Sequence, residues 1–85
     1  MYGVYILLSL KDKGLYVGYS NDVKERLIEH KKGKVSSTCN RRPLDLIYCE
    51  LYKNRKDAMR RERFFKSGWG TNYIKKILRD TLNEK

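Results

Sequence analysis

The sequence predicts a small α+β domain whose elements follow the order ββαβαα. Two segments near the start have the composition of paired strands, and a third strand-like segment lies mid-chain. The segments between and after them carry apolar residues at helical spacing. The 85 residues include one Pro and no repeat, linker or low-complexity tract, so we expect one domain over residues 1–85.

The first two strands are predicted to form a hairpin. Residues 2–9 alternate between two faces, Lys11 to Gly14 supply turn residues, and Leu15 to Ser20 return as a strand. An even-numbered loop pairs Tyr5 with Ser20 and leaves one face apolar. The other face then carries Gly3, Tyr5, Tyr16, Gly18 and Ser20. Phenols beside glycines predict a site, because a strand glycine leaves room for a ligand; alternatively, the tyrosines are ordinary strand formers.

The remaining elements are three helices and one strand. Asp22 to Glu25 have capping-box spacing, which begins a helix over residues 22–32. A polar loop over residues 33–43 precedes a strand from Leu44 to Tyr52. A helix over residues 54–67 is terminated by the glycine-containing segment 67–70, and a last helix follows over residues 71–82. The middle helix carries four inward residues: Ala58, Met59, Glu62 and Phe65.

Basic charge is the first indication of a partner. Twenty Lys and Arg oppose ten Asp and Glu, a net charge of +10, and segments 24–42 and 53–66 each hold seven basic and two acidic residues. Two such blocks favour DNA, or alternatively RNA, because cations that neutralise phosphates release counterions. The alternative is that these side chains only solvate helix faces. The basic residues expected to contact nucleic acid are Lys31, Lys32, Lys34, Arg41, Arg42, Arg60, Arg61 and Arg63.

Other partners and compartments are not indicated. No run of about 20 apolar residues could cross a membrane, and the first residues lack a secretory pattern. Cys39 and Cys49 are too few for a disulfide scaffold. We expect a cytoplasmic protein that does not bind a membrane and has no obligate protein partner.

A set of short motifs resembles a known family. Gly3-Val4-Tyr5, ten intervening residues and Tyr16-Val17-Gly18 are followed by Arg26 and His30 one helical turn apart and by Glu62. This pattern resembles the GIY-YIG nuclease superfamily, especially its small single-domain members related to the catalytic N-terminal module of the excision-repair nuclease. The resemblance runs from Tyr2 to Phe65.

The resemblance implies a three-stranded antiparallel sheet flanked by helices and a metal-dependent endonuclease that cleaves DNA, with a link to DNA repair. It implies one Mg²⁺ or Mn²⁺ held by Glu62. The catalytic residues it implies are Tyr5, Tyr16, Arg26 and His30, and the supporting residues are Gly3, Gly18, Ser20 and Asn72. Tyr19 stands where some members have Lys. A separate DNA-targeting domain is not evident, so we expect low sequence specificity, with nicked, branched or damaged DNA as substrates.

These residue types suit phosphodiester hydrolysis. A phenol can position or deprotonate water if a cation favours its phenolate, and the Arg26 fork matches a phosphate. One carboxylate suffices for Mg²⁺ when waters and substrate oxygens complete the shell. The alternatives are that Arg26 pairs with Glu29 or His30, that His30 is structural, and that Glu62 pairs with a neighbouring arginine. A nucleic-acid-binding module without catalysis is the alternative function.

Overall fold

The computed structural model describes residues 1–84 and has an α+β architecture, as predicted. Three strands, β1 (Tyr2–Ser9), β2 (Leu15–Ser20) and β3 (Leu44–Tyr52), form an antiparallel sheet in the order β2-β1-β3. Helix α1 (Val23–Lys31) and a short 3₁₀ turn (Cys39–Arg41) lie between β2 and β3. Helices α2 (Arg55–Lys66), α3 (Gly68–Ile77) and α4 (Arg79–Asn83) follow.

The core fills the apolar face of the hairpin. Val4 and Ile6 of the central strand pack with Ala58 and Phe65 of α2 and with Ile74 of α3. All five side chains are buried, and burying a large aliphatic or aromatic side chain stabilises a fold by about 1.5 to 3 kcal/mol. Within residues 1–84, no helix is both long enough and apolar enough to cross a bilayer.

The hairpin register differs from the prediction by two residues. Tyr5 lies opposite Gly18 and not Ser20, and Leu7 lies opposite Tyr16. The reason is the turn: the Ser9 N–H donates to the Gly14 carbonyl at 2.9 Å, which closes a four-residue loop one position earlier. A shift of two residues preserves parity, so the two faces of the ribbon carry the predicted side chains.

The C-terminal helices also differ from the prediction. The predicted helix over residues 71–82 is two helices, because the chain leaves helical geometry at Leu78 (φ −110°, ψ 23°). The segment 67–70 begins α3: the Ser67 hydroxyl accepts a hydrogen bond from the Gly70 N–H at 3.1 Å and caps the helix. A Cβ on Gly70 would overlap the Phe64 carbonyl, so this glycine lets α3 start directly against α2.

Candidate active site

Two phenols from the hairpin lie side by side. Tyr5 on β1 and Tyr16 on β2 have ring centroids 6.4 Å apart. Tyr5 has no exposed surface, whereas Tyr16 on the edge strand is half-buried. Gly18 lies directly opposite Tyr5, and a Cβ there would overlap the phenol ring. The glycine therefore makes the space that the Tyr5 ring occupies.

Helix α1 brings His30 and Arg26 to the same face of the sheet. The Asp22 carboxylate caps this helix by accepting from the Glu25 N–H at 3.1 Å. A Cβ on Gly3 would overlap the Val23 side chain, so Gly3 lets the start of α1 approach the central strand. Residues four apart share one side of a helix, which is why His30 and Arg26 both face the tyrosines.

The imidazole of His30 is held at both nitrogens. Its Nε2 lies 2.8 Å from the Tyr5 hydroxyl, and its Nδ1 lies 2.7 Å from Thr38 Oγ1. Thr38 donates its one proton to the Val35 carbonyl at 3.5 Å. We therefore assign the ring proton to Nδ1, which donates to Thr38, and take Nε2 as the acceptor of the Tyr5 hydroxyl proton. Burial, together with the charge of Arg26, holds the pKa of His30 below its ordinary value and keeps the ring neutral.

The pKa of Tyr5 records which groups surround it. Burial raises this pKa to about 12, with a further contribution from Tyr16. The guanidinium of Arg26 acts in the opposite direction, and the carboxylate of Glu62 raises the pKa again. Tyr5, Tyr16, Arg26 and Glu62 thus share one electrostatic environment, although they come from different elements. Tyr5 is a neutral phenol at pH 7.

Arg26 borders a polar cleft of about 580 Å³, whose wall also includes Ser20. Its Nη1 lies 3.2 Å from Glu29 Oε1, in an ion pair whose side chains are both 39% exposed. An ion pair this exposed is worth no more than about 1 kcal/mol, so a phosphate can compete for the guanidinium. The Ser20 hydroxyl accepts from the Asp22 N–H at 3.0 Å, which ties the end of β2 to the start of α1.

Glu62 of α2 lies mostly buried, with its side chain 21% exposed. Its Oε2 accepts from the Lys66 ammonium at 3.1 Å, so its ion-pair partner is this lysine and not the neighbouring arginine that the sequence suggested. Within residues 1–84, no three His, Cys, Asp or Glu side chains gather into a metal-binding group. A single carboxylate can still fit Mg²⁺, because this ion keeps several waters and binds substrate phosphate.

Several predicted nucleic-acid contacts have other roles. Arg61 donates to both Glu50 oxygens at 2.9 and 3.1 Å and lies over the Phe65 ring at 4.4 Å. Arg41 pairs with Asp12 at 2.8 Å, and Arg42 donates to the carbonyls of Cys39 and Lys31. Each of these three guanidinium groups has protein acceptors within hydrogen-bond distance and so also stabilises the fold, and their contact with nucleic acid stays a prediction.

The other predicted residues lie on the surface. Lys31, Lys32 and Lys34 are exposed at the end of α1 and in the loop after it. Arg63 is exposed on α2, and Arg60 is exposed there too, in an ion pair with Asp57. Asn72 is exposed on α3.

Two residues at the site were missed from the sequence, Thr38 and Lys66. Thr38 lies in a segment interpreted as a polar loop, yet it has no exposed surface. Only contacts formed in the fold identify it. Lys66 lies four residues after Glu62, so helical i, i+4 spacing was a signal that could have indicated this ion pair.

Comparisons with known proteins agree with this geometry. Residues 1–75 match the GIY-YIG catalytic domain family. A UPF0213 protein of Bacillus pumilus is 39% identical over 64 residues, covering 74% of this chain and 65% of the relative. A UPF0213 protein of Staphylococcus haemolyticus is 43% identical over 60 residues, covering 69% of this chain and 72% of the relative. This chain thus spans less than two thirds of the first relative's length and somewhat more of the second's.

No solved structure matches the chain. The family match agrees with the antiparallel sheet and with the two tyrosine motifs on its hairpin, and it confirms the resemblance seen in the sequence. The chain belongs to the GIY-YIG catalytic domain family and has a nuclease-type fold.

Proposed function

We propose that this protein is a metal-dependent endonuclease that hydrolyses phosphodiester bonds in DNA with low sequence specificity. The observation that carries the proposal is that Tyr5 and Tyr16 lie side by side on one face of the sheet, with ring centroids 6.4 Å apart, where Arg26 and Glu62 both act on the pKa of Tyr5. A phenol, a guanidinium and an acid able to hold a cation are the groups that this hydrolysis requires. The proposed setting is the cytoplasm, and the proposed substrates include nicked, branched or damaged DNA.

The accessible phenol is the one that meets the attacking water. Tyr5 has no exposed surface, whereas Tyr16 is half-buried at the sheet edge, so Tyr16 is the phenol that contacts the attacking water and takes up its proton as general base. The water oxygen bonds to phosphorus, the bond to the leaving oxygen breaks, and that oxygen takes a proton from solvent. Tyr5 holds His30, whose ring packs edge-on against Tyr16 at 5.2 Å, so both residues position the reacting phenol.

The charged groups stabilise the phosphate. Arg26 leaves its exposed pair with Glu29 and binds two phosphoryl oxygens, which its planar fork matches. Glu62, now paired with Lys66, is the residue that would hold a divalent cation, and the cation would supply charge stabilisation at the leaving oxygen. No base edge is contacted in this scheme, and recognition through phosphates carries no sequence information directly.

The test is a cleavage assay with matched variants. Purified protein is incubated with labelled intact, nicked and branched DNA in Mg²⁺, in Mn²⁺ and in EDTA. We expect cleavage that EDTA abolishes and that Glu62→Gln and Arg26→Ala each reduce by about 100-fold or more. Glu25→Gln and Lys24→Ala, on the exposed side of α1, are the controls and should cleave normally. Cleavage in EDTA, or undiminished cleavage by Glu62→Gln, would contradict the mechanism.

A second candidate is a nucleic-acid-binding module without catalysis. The observation that favours it is the ion pair between Glu62 and Lys66, because an acid that keeps this partner holds no metal. This function predicts salt-sensitive binding without cleavage of any substrate, and no effect of Tyr16→Phe beyond a small change in stability. If structured RNA binds more tightly than duplex DNA, the partner is RNA.

A further inference from the structure

A groove follows the outer edge of β2 away from the tyrosines. One cavity of about 480 Å³ begins at Tyr16 and lies between the edge strand and α3. It continues into a second cavity of about 470 Å³, and the two share Lys13, Leu15 and Lys75. The polar cleft beside Arg26 lies at the other end of the same strand. The edge of β2 therefore has open space on both sides of the candidate active site.

The groove is basic. Its walls carry Lys13, Lys66, Lys75 and Arg79, and none of the described residues that line it is acidic. Lys66 is paired with Glu62, and Arg79 lies 3.7 Å from Asp80 in a pair so exposed that it leaves the cation available. Lys13 and Lys75 are exposed. A groove with several cations and no acid is suited to a polyanion.

The lining of the groove between these cations is apolar. The half-buried Leu15 and Leu82 line its far part, and the buried Phe65 and Ile74 lie under its near part. A duplex keeps its bases stacked inside and offers only phosphates and sugars to such a surface. A single strand can place unstacked bases or sugars on it while its phosphates follow the cations.

We propose that this groove holds a single-stranded segment of the nucleic acid next to the bond that is cleaved. The proposal rests on the proposed function, because the groove begins at Tyr16, the residue that we propose acts on the attacking water. Through Lys13, Lys75 and Arg79, it assigns nucleic-acid contacts to residues outside the two basic blocks of the sequence. Those contacts complement the loop lysines, since Arg41 and Arg42 of that loop already bind protein acceptors.

The test measures binding in EDTA, where no metal-dependent cleavage occurs. The probe is a labelled single-stranded DNA of about 16 nucleotides, titrated at several KCl concentrations. We expect Lys13→Gln/Lys75→Gln/Arg79→Gln to reduce the slope of log K against log salt by about 2, from three lost phosphate contacts at about 0.7 each. The matched control, Lys24→Gln/Lys53→Gln/Lys56→Gln, removes three exposed charges outside the groove and should keep the wild-type slope.

Two outcomes would overturn the proposal that the groove binds single-stranded nucleic acid. One is an equal loss of slope in both triple variants, which would show a general effect of net charge. The other is poly-glutamate competing with the oligonucleotide as well as unlabelled single-stranded DNA does, which would indicate an acidic peptide. All six residues are exposed, and thermal unfolding checks that both variants fold. Because this assay needs no cleavage, the groove and the nuclease activity can fail separately.

Discussion

Arg61→Met tests how α2 is held against the sheet. Arg61 donates two hydrogen bonds to Glu50 of β3, and the Glu50 carboxylate also accepts from the hydroxyls of Tyr48 and Tyr52. The Arg61 and Glu50 side chains are only 26% and 18% exposed. Glu62 is the next residue along α2, so the contact that holds Arg61 against β3 also fixes the position of Glu62.

The magnitude follows from what the variant leaves behind. Breaking a buried ion pair costs about 3 to 5 kcal/mol, because one charge stays without its partner. Partial exposure and the two tyrosine donors reduce this cost, so we expect Arg61→Met to lose about 2 to 4 kcal/mol of unfolding free energy. Met keeps most of the apolar stem, so the loss reports the guanidinium rather than packing.

The assay is urea unfolding followed by tyrosine fluorescence and circular dichroism. Glu50→Leu/Arg61→Met removes both charges together, and we expect it to be more stable than Arg61→Met alone. The reasoning would be refuted by a loss below about 0.5 kcal/mol in Arg61→Met, the range of an ordinary surface substitution. It would also be refuted if the double variant lost as much unfolding free energy as Glu50→Leu and Arg61→Met lose in sum, because residues in contact are expected to couple.

Three further predictions concern the site and its pH dependence. Thr38→Val should move the His30 proton to Nε2, which nitrogen NMR can detect because the chain has one histidine, whereas Thr38→Ser should keep it on Nδ1. Gly18→Ala should displace the Tyr5 ring and reduce cleavage, with Gly68→Ala, where a Cβ meets nothing within 4 Å, as the control. Urea unfolding should show the free energy of unfolding falling as pH drops below about 6.5, because the pKa of His30 is lowered in the fold and the unfolded chain binds this proton first. It should fall again below about 4.5, because the pKa of Glu50 is also lowered in the fold. A free energy of unfolding that does not change with pH would contradict both shifts.

The hairpin shows what sequence reasoning can recover. Alternation fixes which side chains share a face, so the grouping of Tyr5, Tyr16 and Gly18 was predictable from parity alone. The register was not, because it depends on how the Ser9 backbone closes the turn. Two loops of equal length at neighbouring positions have nearly the same composition, and only the three-dimensional hydrogen bonds distinguish them.

The site shows a similar division. Motif spacing identified the tyrosines, Arg26, His30 and Glu62, because these residues lie on regular elements whose faces can be counted. Partners contributed by other elements were not identifiable. Arg61 meets Glu50 across eleven positions, and Thr38 reaches His30 from a loop. A basic residue in a sequence therefore indicates a charge, and only the fold shows whether that charge is paired with an acceptor within the protein.

Strand order explains why two similar phenols have different surroundings. β1 is the central strand, covered by α1 on the tyrosine face and by α2 and α3 on the other, so Tyr5 has no exposed surface. β2 is an edge strand, and Tyr16 on it opens into the groove. In the proposed function, the phosphate would approach the second phenol along the sheet edge, which has the cleft of Arg26 at one end and the groove of Lys66 at the other. The edge that would otherwise invite strand pairing is the surface from which the proposed chemistry is accessible.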